Sequence, residues 1–208
     1  MNRRAGLRSL FGLGLVMMTG FSVTDADAQS LSGAGLVSAL RQGGYVLVMR
    51  HANSPGQPPD KAAADAENLR VERQLDAAGR DSARAMGEAV KALRIPMGDV
   101  LSSPTYRALQ TVKLASLGTA KTVTELDEGA GGMQSNAEGA RVTWLKAKVG
   151  EAPRAGTNIM IVTHAPNIKG SFGIDAAAGE TIVFKPDGKG GALEVARIKI
   201  ADWSALAK

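Results

Sequence analysis

The residues best suited to chemistry in this sequence are two histidines, each at the end of an apolar run. Arg50 and His51 directly follow the run 44–49, and His164 directly follows the run 158–163. An imidazole can attack as a nucleophile or exchange a proton near neutral pH, and a neighbouring guanidinium can hold an anion. The sequence has no other histidine, so the shared placement predicts one common site. A hydrogen-bonded structural role is the alternative for each histidine.

A further arginine follows a short predicted strand, Asp99–Ser102. Ser103 is typical of a helix N-cap and Pro104 of the first helical position, which would place Arg107 one turn inside a helix. The N–H groups at the start of that helix would point at the same edge of the sheet and favour an anion there. We therefore predict that Arg107 joins the histidines. An exposed surface arginine is the alternative.

The elements that must position these groups alternate between short apolar runs and amphipathic ones. A buried face is predicted for the second helix from apolar residues that recur every three or four positions: Leu75, Ala78, Ser82, Met86, Val90 and Leu93. We expect helices near 31–41, 75–93, 103–116 and 137–149, strands at 44–49, 99–102, 122–126 and 158–163, and a hairpin of 181–184 with 193–200. This alternation predicts an α/β fold of three layers, with a mostly parallel central sheet and helices on both faces. Ligands bind at the carboxyl ends of the strands in such folds.

The composition is that of a globular chain and excludes several kinds of site. The 208 residues are 44% hydrophobic and 22% charged, and cysteine is absent. Disulfide scaffolds, cysteine nucleophiles and thiolate metal sites are therefore excluded, and two histidines are too few for a histidine-rich metal cage. The net charge of +5 is compatible with an anionic ligand. Few aromatic residues accompany the basic ones, so we expect no nucleic-acid partner.

The N-terminal 28 residues resemble a secretory signal peptide. Three arginines within the first eight residues precede the uncharged run Ser9–Thr24, and Ala26-Asp27-Ala28 is a small-x-small cleavage motif. The apolar centre, Leu10–Met18, is too short to cross a bilayer. We expect cleavage after Ala28 by general export, so that residues 29–208 are periplasmic or secreted with no stable membrane anchor. An uncleaved anchor and twin-arginine export are the alternatives.

Four segments of this sequence, in the same order along the chain, resemble branch 1 of the histidine phosphatase superfamily, the phosphoglycerate mutase-like proteins. Tyr45–His51 matches the family's Arg-His-Gly signature, and Leu75–Arg80 matches the start of the next helix. Leu101–Pro104, with Arg107, Gln110 and Thr111, matches the second arginine motif. Ile161–His164 matches the second histidine. The resemblance covers most of residues 29–208 and implies one histidine phosphatase-like domain with the family's fold.

The resemblance also implies roles for these residues. His51 would be the nucleophile and form a phosphohistidine, which requires a neutral attacking nitrogen and therefore a second ring nitrogen that donates to a backbone carbonyl. Arg50, Arg107 and His164 would hold the phosphoryl oxygens. Asn53 would add an amide hydrogen bond to the phosphate, with a role in the turn as its alternative.

The resemblance also implies a general acid, and the sequence departs from the family at the glycine of the signature. In many relatives the acid is a carboxylate in a Leu-x-Glu context, which here gives Glu128, with Glu125 and Asp127 as alternatives. A solvated acidic loop is a further alternative, and the glycine-rich stretch 129–132 would form a rim over the site. Ala52 stands where the family has glycine, and we expect it to be small enough for the backbone to approach a phosphate.

The sequence therefore predicts an exported phosphatase that hydrolyses phosphoric monoesters through a phosphohistidine, without a metal or another cofactor. Its expected partner is a small phosphorylated substrate or phosphate, and its oligomeric state is not predicted. A phosphate or sugar-phosphate binding protein that has lost the acid is the alternative from another class. A phosphoryl mutase is a third interpretation, less suited to a compartment where its metabolites are scarce.

Overall fold

The computed structural model describes residues 30–128 and 135–208, which form a six-stranded sheet with helices. The predicted signal peptide (residues 1–28) and the glycine-rich stretch 129–132 lie outside the described residues. The helices are α1 (Gly33–Gln42), α2 (Ala77–Ala92), α3 (Tyr106–Leu114), α4 (Ser135–Val149), α5 (Ala165–Phe172) and α6 (Asp202–Leu206). The strands are β1 (Val46–Arg50), β2 (Met97–Ser102), β3 (Ala120–Thr122), β4 (Asn158–Thr163), β5 (Thr181–Pro186) and β6 (Ala192–Ile198).

The strands lie in the order β3-β2-β4-β1-β5-β6. β3, β2, β4 and β1 pair in parallel, whereas β5 runs antiparallel to β1 and forms the predicted hairpin with β6. The mostly parallel sheet is therefore confirmed. Sequential parallel strands need crossover connections, which the helices between them supply.

Side chains of the central strands alternate between two separate cores. In β1, Leu47 and Met49 pack with α1, α2, α3 and α6, and Val46 and Val48 pack with α4 and α5 on the other face. All four side chains are fully buried. A continuous apolar run is typical of a strand covered on both sides, so the predicted three-layer architecture is confirmed.

The register of the parallel strands sets where the functional side chains emerge. Arg50 is in register with Thr163, and Ser102 with Val162. The ladder continues one step further, because the His51 N–H donates to Thr163 O at 3.0 Å. The residues that follow β1, β2 and β4 therefore leave the sheet side by side.

The third helix begins later than the sequence predicts. The chain is still extended at Thr105, the observed N-cap, and the first helical residue is Tyr106. The predicted N-cap role of Ser103 is wrong, because its hydroxyl lies 2.9 Å from His164 Nε2. Residues 124–126, predicted as part of a strand, form a 3-10 turn after β3. Two helices, α5 and α6, were not predicted.

The buried face of α2 differs in part from the predicted one. Ala78 is exposed, and Gly79 and Ala83 are buried instead. The start of α2 is fixed by Asp76, whose carboxylate accepts from the Gly79 N–H at 2.7 Å. A Cβ at position 79 would lie 2.1 Å from the Asn53 carbonyl oxygen. Glycine is therefore required where the loop after His51 passes the helix.

Across the described ranges 30–128 and 135–208, no helix has both the length and the apolar character needed to cross a membrane.

The contact between Gly79 and Asn53 predicts a stability difference between two glycine variants. Gly79→Ala should lower the free energy of unfolding by about 2 kcal/mol, since the methyl group must displace backbone. Gly35→Ala is the matched control, because its Cβ would have nothing within 4 Å and alanine favours a helix by up to about 1 kcal/mol. Urea unfolding measures both. Equal stability of the two variants would contradict the close approach.

Candidate active site

His51 is buried at the end of β1, and its two ring nitrogens have different partners. Nδ1 lies 2.7 Å from the Ala52 carbonyl oxygen, and Nε2 lies 3.3 Å from Arg107 Nε. A carbonyl oxygen can only accept and a guanidinium can only donate. Both contacts therefore select the tautomer in which Nδ1 carries the proton and Nε2 has a free lone pair.

His164, fully buried at the end of β4, completes the pair of histidines. Its ring centroid lies 5.2 Å from that of His51. Nε2 lies 2.9 Å from Ser103 Oγ, and Nδ1 lies 3.3 Å from Arg107 Nη2 and 3.4 Å from Glu128 Oε2. Because Arg107 can only donate to Nδ1, Nε2 carries the proton and donates to the Ser103 hydroxyl.

Burial and nearby positive charge keep both imidazoles neutral. Burial is the main cause that lowers the pKa of His51 from 6.5 to about 4, and Arg107 and Arg50 lower it further against the contact with Ala52. Burial and then Arg107 lower the pKa of His164 to about 2. Protonation would add a charge to a poorly solvated group that already faces guanidinium groups. The lone pair of His51 Nε2 is therefore available at neutral pH.

Arg107 lies at the centre of the cluster, as predicted, and is 4% exposed. Arg107 contacts His51 through Nε and His164 through Nη2. Its Nη2 also forms an ion pair with Glu128. Glu128 is also within 3.8 Å of Arg73 Nη1. The carboxylate that the sequence suggests as the acid thus lies against the basic groups of the site.

Two further arginines contribute positive charge. Arg50 donates from Nη1 to Ala176 O at 2.9 Å, and its buried Nε has no hydrogen-bond partner among the described residues. Arg73 donates from Nε to Pro55 O at 2.7 Å; burial and then Arg107 lower its pKa below the ordinary value. Sequence reasoning missed Arg73, because it lies in a loop without a helical or strand pattern.

Asn53 and Ala52 shape the loop after His51. Asn53 Nδ2 donates to Asp76 Oδ2 at 2.6 Å, so the structure gives this amide a role in tying the loop to α2 and does not bring it into contact with the histidines. Ala52 is fully buried, and its N–H donates to Thr111 Oγ1 at 3.1 Å. Its φ is not positive, so the conformation here does not require the glycine of the family.

The alternative acids Glu125 and Asp127 make other contacts. Glu125 Oε2 accepts from Thr124 Oγ1 at 3.1 Å, and the Asp127 carbonyl accepts from Asn167 Nδ2 at 3.0 Å. Of the three carboxylates, Glu128 is the one with contacts to Arg107 and His164.

Two N–H groups at the start of α3, which was predicted to present its N–H groups to an anion, have partners within the protein. The Tyr106 N–H donates to Glu72 Oε2 at 2.9 Å, and the Thr105 N–H to Ser103 Oγ at 3.3 Å. A carboxylate compensates the helix dipole as a phosphate would. The helix therefore contributes Arg107 to the site through its side chain.

The arrangement suits an anionic ligand and a neutral nucleophile. Among residues 30–128 and 135–208, no group of three or more acidic or histidine side chains could hold a metal ion. A cavity of about 810 Å³ lies along the outer side of α3, lined by Tyr106, Gln110 and Lys113, and neither histidine lines it. The chemistry of the cluster, more than the size of a cavity, identifies the site.

The lowered histidine pKa values predict how stability depends on pH. Between pH 6.5 and 4 the unfolded chain binds protons at His51 and His164 that the folded chain excludes, so the free energy of unfolding falls as pH falls through this window. In His164→Gln the fall from pH 7 to 4.5 should be smaller by roughly 2 kcal/mol. Urea unfolding in phosphate-free buffer measures it; an equal fall in both proteins would contradict a neutral His164.

Comparison with known proteins agrees with this geometry. The profile of the histidine phosphatase superfamily, branch 1, matches residues 46–134, whereas no curated protein matches the chain. The structure of the protein histidine phosphatase SixA complexed with tungstate is similar over 76% of this chain and 98% of its own, with 20% identity and a TM-score of 0.55. Phosphoserine phosphatase from Entamoeba histolytica in complex with 3-phosphoglyceric acid is similar over 74% and 95%, with 13% identity and a TM-score of 0.52.

The matched segment carries His51, Arg107 and Glu128, and the six-stranded sheet that positions them is the fold of these phosphatases. Over residues 46–134, this chain is therefore similar to branch 1 of the histidine phosphatase superfamily.

Proposed function

We propose that the chain is an exported phosphatase that hydrolyses phosphoric monoesters through a phosphohistidine at His51. The observation that carries the proposal is the tautomer of His51, whose Nδ1 faces Ala52 O at 2.7 Å while Nε2 faces Arg107 Nε at 3.3 Å. A nucleophile must have a free lone pair and must lie where the electrophile is held. Nε2 has the lone pair, and it faces the guanidinium group of Arg107, which would hold the phosphoryl group.

In the first step, the Nε2 lone pair attacks phosphorus and the bond from phosphorus to the ester oxygen breaks. The ring gains positive charge as the new bond forms, and the Nδ1–H donating to Ala52 O stabilises that charge. Arg107 turns from Nε2 to a phosphoryl oxygen, so that the nitrogen is uncovered as the substrate is bound. The product of this step is phosphohistidine with a proton on Nδ1.

The phosphoryl oxygens bind to groups that can only donate. Arg107 and Arg73 are paired with Glu128, and the buried Arg50 Nε has no hydrogen-bond partner among the described residues. Fixed guanidinium groups stabilise the charge that spreads over these oxygens in the transition state, without reorganisation during the reaction. His164 Nε2–H is directed to Ser103, so this histidine fixes the orientation of Arg107 through Nδ1.

Glu128 is the proposed general acid. An incoming phosphate ester competes with it for Arg107 and Arg73, and the negative charge of the ester favours the protonated form of a neighbouring carboxyl group. Glu128 then gives its proton to the leaving oxygen. In the second step its carboxylate takes a proton from the water that attacks phosphorus, the bond from Nε2 to phosphorus breaks, and phosphate leaves.

The names of the structural neighbours support a phosphoryl group as the ligand. SixA is described as a protein histidine phosphatase and was solved with tungstate, and the Entamoeba protein is described as a phosphoserine phosphatase and was solved with 3-phosphoglyceric acid. Export is proposed from the arginines of the N-terminal segment, its uncharged run and the Ala26-Asp27-Ala28 motif. The mature chain would begin at Gln29 in the periplasm or medium.

The nucleophile is tested with the mature chain and a panel of phosphate esters, with a phosphoramidate included and a chelator present. His51→Ala should abolish turnover and the acid-labile phosphoenzyme trapped by rapid quenching, and chelator should leave wild-type activity unchanged. Turnover at the wild-type rate by His51→Ala would overturn the mechanism. A wild-type chain that binds phosphate but hydrolyses nothing in the panel would indicate the phosphate-binding alternative.

The pairing of Glu128 with two arginines predicts that it competes with phosphate. Glu128→Gln should bind inorganic phosphate more tightly, by roughly tenfold or about 1.4 kcal/mol, because the arginines lose a competing anion. Isothermal titration calorimetry measures the affinity. Glu125→Gln is the matched control and should bind phosphate as the wild type does. Weaker or equal binding by Glu128→Gln would show that the carboxylate does not occupy the phosphate position.

A further inference from the structure

We propose that Thr163 and Asn167 are positioning residues that hold the segment carrying Glu128 against the end of β4. This inference rests on the proposed function, in which Glu128 is the general acid. Neither side chain is hydrogen-bonded to the side chains that react with the phosphate, although the main-chain carbonyl of Thr163 accepts from the His51 N–H. Their effect on catalysis acts through the backbone of residues 126 and 127.

The contacts form a buried clamp made of Thr163, Asn167 and two backbone carbonyl groups. Thr163 Oγ1 donates to Leu126 O at 2.8 Å. Asn167 Nδ2 lies 2.9 Å from Leu126 O, 3.0 Å from Asp127 O and 2.9 Å from Thr163 Oγ1, so its two N–H groups are shared among three acceptors. Thr163 is fully buried and Asn167 is 4% exposed. The two residues thus satisfy both carbonyl groups that precede Glu128.

The clamp joins the acid to the element that carries the second histidine. Thr163 is the last residue of β4 and directly precedes His164, and Asn167 lies in the first turn of α5. On the other side, the Leu126 side chain is fully buried among Leu145, Ile161 and neighbouring apolar residues. Side chain and carbonyl of Leu126 are therefore both fixed.

Regular secondary structure does not hold this segment. Residues 124–126 form a single 3-10 turn, and Asp127 is extended with φ −68° and ψ 150°. Without the clamp, the carbonyl groups of Leu126 and Asp127 would lack these donors inside the protein, and they would turn toward other partners. Because Glu128 directly follows, its carboxylate would move relative to His51. A proton transfer is sensitive to such a displacement, since donor and acceptor must lie within hydrogen-bond reach.

The test compares esters that need the acid with esters that do not. Alkyl phosphates have poor leaving groups and need protonation, whereas nitrophenyl phosphate does not. Thr163→Val removes the hydroxyl and keeps the shape of the side chain, and Thr163→Ser keeps the hydroxyl. Asn167→Asp removes both N–H donors with little change in volume. The measured quantity is the ratio of kcat/KM for nitrophenyl phosphate to kcat/KM for an alkyl phosphate, which reports formation of the phosphoenzyme.

Thr163→Val and Asn167→Asp should each raise this ratio by roughly tenfold or more, because a displaced acid slows the alkyl ester selectively. Thr163→Ser keeps the hydroxyl and should therefore have the wild-type ratio. Glu128→Gln should raise it by roughly 10²- to 10⁴-fold. A variant that is merely destabilised loses folded enzyme, which lowers both rates equally and leaves the ratio unchanged.

Two failures are distinguishable. If Glu128→Gln raises the ratio and neither Thr163→Val nor Asn167→Asp does, the clamp is overturned and the acid stands. If Glu128→Gln leaves the ratio unchanged, the role of Glu128 is overturned and the clamp with it, while the role of His51 as nucleophile is judged separately by trapping of the phosphoenzyme.

Discussion

The parallel pairing of β1 with β4 determines which residues meet in the site. Because Arg50 is in register with Thr163, the residues that follow them, His51 and His164, leave the sheet at the same level. β2 pairs with the other side of β4 and leads the chain into α3, which carries Arg107. Side chains alternate along a strand, so a shift of one residue in this register would turn the histidines to opposite faces. The two apolar cores that cover the sheet maintain the register.

Positive charge around the strand ends contributes to both properties that the proposed chemistry needs. Arg50, Arg73 and Arg107 all lower the pKa of His51, and burial lowers it most. The same guanidinium groups are the donors that an anion would bind, and Glu128 pairs with two of them. Burial and these charges together keep the His51 imidazole neutral, and the same charges make the site suited to an anion.

Local patterns in the sequence were sufficient to predict the central strands and the histidines. Apolar runs of six residues mark β1 and β4, and the residues that follow them are fixed by strand geometry alone. Arg107 was predicted on the correct helix, although the chain stays extended two residues longer because Ser103 contacts His164. Glu128 came from the resemblance, and the structure places it beside Arg107 and His164.

The remaining features depend on contacts between distant segments, which no local pattern encodes. Arg73 reaches the site because its loop is held by Pro55 O, and Asn53 is bonded to Asp76 although it lies two residues after His51. The clamp of Thr163 and Asn167 on residues 126 and 127 exists only once β4 and the 3-10 turn are adjacent. Helix α5 is the exception, because Pro166 at its start and Gly173 at its end, in the left-handed region, are local features typical of a helix.

In the proposed mechanism His51 is neutral with its proton on Nδ1, and Nε2 is the attacking atom. Nitrogen-15 NMR of histidine-labelled protein tests it directly, because the sequence has two histidines and His164→Gln assigns their signals. We expect the His51 ring at pH 6 to show a protonated Nδ1 and an unprotonated Nε2, and the pattern to persist until the pH approaches the lowered pKa of about 4. A proton on Nε2, or an imidazolium at pH 6, would contradict it.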